Sequence, residues 1–325
     1  MRQAENRVKI EGILAETDLK YGSFQKNGET VESIGGSIKV LVHQEINGVA
    51  TALEVPGYMF SSKYTKTGKV NPSYESIEKV MKEFVSIAAA GGEAQADRVR
   101  ITNADIRMNE FAGQNGQIVS QPRIHASFVS RAIGGFKPEA TFSLEFMVSS
   151  IARAVDKEGV ELDPAKLNVE VIVPQYTTPG ATAPNVDLVP LVAVNPNVIN
   201  AVESYWEAGS CYKASGRLNF SSRTEEVVEQ VDFGEATSKV RTINVSEFII
   251  TGGSQSPLEG DFAFDMDEDI DKLEDFLPNQ DTKLFDSKGN YKINSQKFRK
   301  YISSLTNDNE DFYLLLDEVQ LLDNF

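Results

Sequence analysis

An internal repetition at the scale of a whole domain constrains this sequence more than any other feature. Apolar–polar alternation and helical spacing predict three strands, one helix and two further strands in the first part of the chain. Their ranges are 7–15, 37–43, 49–55, 71–90, 98–111 and 122–132. The same order of elements follows over 141–250, although the residues themselves do not repeat. Repetition of an element order indicates two units of one design.

Five strands with a helix between the third and the fourth is the element order of the OB-fold, a small Greek-key barrel. The sequence therefore predicts a mainly β protein with two tandem OB-like five-stranded barrels, residues 1–137 and 138–255. A length of 325 residues suits two domains. After Pro257 the composition becomes acidic, and we expect 256–325 to be an acidic, partly disordered C-terminal tail.

Composition argues against several classes of protein. A single cysteine, Cys211, and two histidines argue against a disulfide framework and against zinc sites built from these residues. The chain has no apolar run of about 18 residues and no apolar leader, so we expect a cytoplasmic protein. Neither a phosphate-binding P-loop motif nor a Gly-x-Ser-x-Gly nucleophile motif is present. We expect no catalysis, no cofactor and no metal.

Charge is distributed unevenly, which matters more than the net charge of −16. Residues 1–140 hold 17 basic and 16 acidic side chains, whereas 259–325 hold 7 basic and 17 acidic ones. A uniformly acidic protein binds nucleic acid poorly, but a protein whose acids are concentrated in a tail can bind it elsewhere. The first unit is therefore the better candidate for binding a polyanion.

A segment without any acid, 56–74, interleaves aromatic and basic residues between the predicted third strand and the helix. Aromatic rings stack on bases, and lysines neutralise phosphates. We interpret it as a nucleic-acid-binding loop with Tyr58, Phe60, Lys63, Tyr64, Lys66, Lys69 and Tyr74. The alternative is a solvated loop whose tyrosines pack on the barrel. Further candidates are Tyr21, Phe24 and Lys26 between the first two strands, and Arg107, Phe111, Arg123 and Arg131 on the last two.

The tail carries a separate hypothesis. Phenylalanines stand among its acids, and the chain ends on an aromatic residue, which favours a docking peptide for a protein partner. The residues concerned are Phe262, Phe264, Phe276, Asp323 and Phe325. The alternative is a solvated, disordered stretch of like charges.

With its final residues Leu321-Leu322-Asp323-Asn324-Phe325, the chain resembles single-stranded DNA-binding proteins, and two barrels in one chain look like a phage or mobile-element member. The resemblance implies a non-catalytic protein that coats exposed strands and recruits replication, recombination or repair proteins. The choice between DNA and RNA stays open. A structural or assembly protein, such as a phage virion component, is the alternative function. An enzyme with scattered carboxylates is the third.

Overall fold

A computed structural model describes residues 4–258 except 27, 47–48, 113–117, 176–185 and 230–236, without the side chains of 110–112, 118, 222–229 and 237–244. The predicted tail residues Phe262, Phe264, Phe276, Asp323 and Phe325 lie outside the described residues. The strands are β1 (Asn6–Lys26), β2 (Glu29–Ile46), β3 (Val49–Ser62), β4 (Arg98–Ala112), β5 (Ile118–Arg131), β6 (Glu139–Arg153), β7 (Leu167–Pro174), β8 (Val186–Ala193), β9 (Cys211–Glu229) and β10 (Thr237–Gly253). The helices are α1 (Pro72–Glu83), α2 (Ile87–Ala90) and α3 (Pro196–Tyr205).

The first five strands form a closed barrel. Antiparallel pairs join β1 to β2, β2 to β3, β5 to β4 and β4 to β1. A parallel contact between Tyr58 and His125 joins β3 to β5 and completes the circuit. The predictions of a mainly β protein and of a five-stranded barrel with a helix after its third strand are confirmed.

Helix α1 packs one apolar face against the barrel. Tyr74, Ile77 and Val80 recur at intervals of three residues and are buried, and burying each aliphatic side chain contributes about 1.5–3 kcal/mol. Asn71 caps the helix, since its side chain accepts a hydrogen bond from the Ser73 amide. The single helix predicted over 71–90 is wrong in one respect: Phe84 is extended, so α1 ends there and α2 follows separately.

The strands extend well beyond the barrel core. Tyr21, Phe24 and Lys26 were predicted in a connecting segment but belong to β1, and Tyr58 and Phe60 were predicted in a loop but belong to β3. These predictions failed because 16–26 and 29–37 form a ribbon that is mostly polar, so no continuous apolar face marks them as strands.

The later strands repeat the pairing order of the first five. β6 pairs with β7 and β9, β7 with β8, and β9 with β10. Val192 and Ile249 pair β8 with β10 in parallel, as Tyr58 and His125 pair β3 with β5. α3 lies between β8 and β9, where α1 and α2 lie between β3 and β4.

The repetition extends to single register positions. Lys39 faces Pro56 in the first set of strands, and Glu170 faces Pro190 in the second. A register shift occurs in β1 between Leu14 and Glu16, and another in β6 between Val148 and Ser150. Residues at corresponding positions of the two sets can therefore be compared directly.

The two sets of strands share one continuous sheet through β1. Residues Asn6–Glu11 pair with β6, and Ile13 onward pairs with β2. Gly12 stands at this change of partner, where a Cβ would lie 2.3 Å from the Leu41 carbonyl oxygen. Glycine is needed because the backbones approach so closely. None of the described helices combines the length and the apolar character that crossing a membrane requires.

Candidate nucleic-acid interface

β3 pairs with β2 and so extends the ribbon to three strands, β1, β2 and β3. The strand register divides the predicted binding residues between the two faces of this three-stranded ribbon. Directly opposed residues of a sheet share a face, and successive residues alternate. The trio Lys20, Gly35 and Phe60 lies in register, and so does the trio Tyr21, Ile34 and Ser61 one position further along. We call the first side the outer face; it carries Lys20, Phe24, Lys26, Tyr58 and Phe60. The other, which we call the helix side, packs against α1 and carries Tyr21 and Lys63.

Phe60 forms the centre of the outer face. Its side chain is 56% exposed, and its ring centroid lies 5.9 Å from that of Phe24 on the neighbouring hairpin. Gly35 stands opposite Phe60, and a Cβ there would lie 3.0 Å from the Phe60 ring. Glycine thus leaves room for the ring to lie across β2. The result is an aromatic surface open to solvent.

Arg123 supplies an uncompensated positive charge beside these rings. Its guanidinium lies over the Tyr58 ring, with 4.4 Å between the Cζ atom and the ring centroid. Among the described residues it has neither an ion pair nor a hydrogen bond, and its buried Nε is without a partner. The cation–π contact orients the guanidinium but leaves its charge available to a phosphate.

Arg107, in contrast, is neutralised by a neighbour. It donates hydrogen bonds to the Asp105 carboxylate from Nε at 3.1 Å and from Nη2 at 2.7 Å. His125 Nδ1 lies 3.4 Å from Asp105 Oδ1. Burial raises the pKa of the Asp105 carboxyl, but the hydrogen bonds with His125 and Arg107 together lower it by more. The pKa of Asp105 therefore lies below its usual value. Asp105 therefore remains charged and holds Arg107 in place.

The helix side contains a network of tyrosines and ion pairs. The Tyr21 hydroxyl donates to Glu78 Oε1 at 2.6 Å, and Lys82 Nζ donates to the same oxygen at 2.9 Å. Both bonds lower the pKa of Glu78, and the Glu78 bond raises that of Lys82 to about 12. Tyr74 is only 7% exposed and lies beneath Tyr21, with ring centroids 6.5 Å apart. Tyr74 therefore supports the surface rather than forming it.

Other predicted residues lie in different surroundings. Arg131, at the end of β5, donates to Asp97 at 2.7 Å and to the Glu83 carbonyl at 2.6 Å, and it covers the Phe84 ring. These bonds engage its guanidinium in the α1–β4 connection. Phe111 pairs with Val119 at the far end of β4, and its side chain lies outside the described part. Lys66 and Lys69 are exposed in a turn after β3.

Sequence reasoning missed Lys20, Gly35 and Asp105. Lys20 and Gly35 border Phe60, and Asp105 neutralises Arg107. Continued alternation of polar residues after Thr17 was the available signal for Lys20. The available signal for Asp105 was its spacing of two residues from Arg107, since residues i and i+2 of a strand share a face.

The second set of strands carries different chemistry at corresponding positions. Where the first has Tyr58, His125, Arg123 and Lys39, the second has Val192, Ile249, Glu247 and Glu170. Aromatic and basic side chains are thus replaced by aliphatic and acidic ones. This surface therefore lacks stacking rings and a free guanidinium at these positions.

Glu170 leads to a prediction about stability. Burial raises its pKa to about 7, from the usual value of 4.5. The folded state therefore binds the proton more tightly than the unfolded state, so stability is lost as the pH rises from 4.5 towards 7. Glu170→Gln, which can still accept the hydrogen bond of Ser150, should raise the free energy of unfolding at pH 8 by roughly 1–3 kcal/mol and change it little at pH 4. Urea denaturation at both values of pH measures this, and an equal effect at both would contradict it.

No protein with curated annotation matches the sequence. The structure is similar to a crystal structure of a deletion mutant of the single-stranded DNA binding protein from Thermus aquaticus, with 10% identity and a TM-score of 0.43. That match covers 80% of this chain and 98% of the other, and a likeness at this level does not assign a function. The family model of YorF matches residues 4–290, which is most of the chain, and the protein therefore belongs to the YorF family.

Proposed function

We propose that this protein binds single-stranded DNA without catalysing a reaction, and that the outer face of the first barrel is the binding surface. The observation that carries the proposal is the exposed Phe60 ring next to Tyr58, with the unpaired Arg123 guanidinium stacked on the tyrosine. Exposed rings offer stacking faces to unpaired bases, and the cation offers a phosphate contact. A duplex hides the faces of its bases, so this surface favours a single strand.

The position of these residues in the barrel supports the same function. OB-folds bind oligonucleotides on the face of strands 2 and 3 and with the loops that join strands 1–2 and 4–5. Phe60 and Tyr58 lie on β3, Phe24 and Lys26 lie on the β1–β2 hairpin, and Arg123 lies on the β4–β5 hairpin. The candidate residues thus lie where an OB-fold is expected to bind an oligonucleotide.

We further propose that residues 139–253 form a second OB-like barrel that supports the first and does not bind DNA through its corresponding face. The shared pairing order supports the barrel, and the acidic and aliphatic side chains at the matching positions support the different role. The acidic tail would recruit replication or recombination proteins in the cytoplasm, in keeping with its composition.

Fluorescence anisotropy with labelled oligo-dT tests the proposal, with a duplex of equal length as the control. We expect binding to the single strand that weakens with salt, because each phosphate contact adds about −0.7 to the slope of log K against log salt concentration. Weak or no duplex binding is expected under the same conditions. Equal affinity for both substrates, or no binding at low salt, would contradict the proposal.

A further inference from the structure

We propose that the helix side of the ribbon forms a second contact surface for the same strand, distinct from the outer face. This inference rests on the proposed function and specifies how much of the strand the first barrel engages. The second surface consists of Tyr21, Tyr64, Lys66 and Lys69. These residues were predicted from the sequence as members of one site, but the register separates Tyr21 from Phe24 and Phe60.

Tyr21 is an exposed ring held in a fixed position. Its side chain is 52% exposed, although the hydroxyl is bound to Glu78, Tyr74 lies beneath the ring and Lys82 Nζ lies 5.9 Å from the ring centroid. A ring that is already ordered loses little conformational entropy when a base stacks on it. The contacts therefore favour a stacking platform.

Tyr64 is a second exposed ring close to the end of β3. It is 47% exposed, and Lys63 Nζ lies 5.4 Å from its ring centroid. Tyr64 also forms a β-bridge with Val70, and within that turn the Thr65 amide donates to the Lys69 carbonyl at 2.8 Å. The turn thus has a defined backbone that presents Tyr64 and its lysines together.

The charges on this side favour an anion. Two of the acids on this side, Glu32 and Glu78, are paired with Lys63 at 2.6 Å and Lys82 at 2.9 Å. Lys66 and Lys69 have no ion pair among the described residues, and both are exposed. These two lysines therefore place unpaired positive charge near two exposed aromatic rings.

The two surfaces are close enough for a single DNA strand to contact both. Phe60 and Tyr64 are four residues apart, so their Cα atoms lie within about 14 Å even if the chain between them is fully extended. Beyond the Tyr58 contact, β3 has no pairing partner on its side away from β2 among the described residues. A DNA strand that is bound at Phe60 can therefore cross this unpaired edge of β3 and reach the turn that contains Tyr64.

Oligonucleotide length distinguishes one surface from two. OB-folds contact about 4–16 nucleotides, so we would compare oligo-dT of about 5 and about 16 nucleotides on the full chain. Tyr64→Ala should weaken binding of the long oligonucleotide about 5- to 100-fold and leave the short one unchanged, whereas Phe60→Ala should weaken both. Tyr205→Ala is the matched control, since Tyr205 is 46% exposed on α3 and should change neither.

The outcomes separate this inference from the proposed function. If Tyr64→Ala weakens both lengths equally, or neither, the second surface is disproved while single-strand binding stands. If the unmodified protein binds neither length, both proposals fail. Lys66→Gln combined with Lys69→Gln provides an independent check, because it should reduce the salt slope for the long oligonucleotide only.

Discussion

Replacing Tyr58 and Phe60 together by alanine is expected to weaken the binding of oligo-dT by at least about 2 kcal/mol, which is about thirtyfold in affinity. Each aromatic ring that stacks on a base contributes about 1–3 kcal/mol by alanine substitution. Loss of Tyr58 also removes the ring that orients the Arg123 guanidinium. The double variant thus removes two rings of the outer face and the ring that supports the Arg123 guanidinium.

Anisotropy titration at one fixed salt concentration measures this effect, and circular dichroism confirms that the variant is folded. Phe60→Trp is the conservative partner, because it keeps a stacking face and should retain most of the affinity. Tyr205→Ala again controls for the loss of a surface tyrosine. A double variant that binds within twofold of the unmodified protein would exclude the outer face as the binding surface.

The order of elements could be predicted from the sequence because the core strands alternate in the usual way. Val8 and Ile10 in β1, and Ile38 and Val40 in β2, are buried two residues apart. The ribbon beyond the barrel could not be predicted, since its residues face solvent on both sides over much of its length. Strand length there follows from the pairing of β1 with β2, which is a tertiary property.

The composition of the binding surface was predictable, but its geometry was not. Aromatic and basic residues were recognised, yet their division between two faces depends on the register of β1, β2 and β3. Arg107, Arg123 and Arg131 look alike in the sequence. Asp105 binds the first and Asp97 binds the third. The first pair follows from a spacing of two residues on one strand, whereas the second joins residues that are far apart in the sequence. Of these three arginines, Arg123 has no carboxylate partner among the described residues, and it stacks on Tyr58.

The largest effect on stability is expected from Glu11, which lies where the two sets of strands meet. Glu11 is 2% exposed and accepts hydrogen bonds from Arg100 Nε at 2.7 Å and Nη2 at 2.9 Å. Its Oε1 atom also accepts from the Lys137 amide at 2.9 Å, in the segment that joins β5 to β6. One carboxylate therefore connects β1, β4 and the linker, and Arg98 packs over Phe136 in the same linker.

Glu11→Ala is expected to lower the free energy of unfolding by about 1.5–3 kcal/mol, because it removes charge-assisted hydrogen bonds to the partly exposed Arg100 and leaves the Lys137 amide without its acceptor. Glu11→Gln should cost less, since its side-chain oxygen can still accept one of the hydrogen bonds. Urea denaturation at pH 7 measures both variants. If the free energy of unfolding of Glu11→Ala lies within 1 kcal/mol of that of the unmodified protein, about the error of such a comparison, the contact between the two sets of strands does not depend on this carboxylate.

The pH dependence tests the same contact independently. The hydrogen bonds from Arg100 hold the pKa of Glu11 below its usual value of 4.5. Because the folded state binds this proton less tightly than the unfolded state, the contact contributes its full stability above pH 4.5 and loses it as the pH falls through the lowered pKa. The difference in unfolding free energy between the unmodified protein and Glu11→Gln should therefore shrink as the pH is lowered from about 5 to below 4.5. A difference that stays constant over this range would mean that Glu11 acts through packing rather than through its charge.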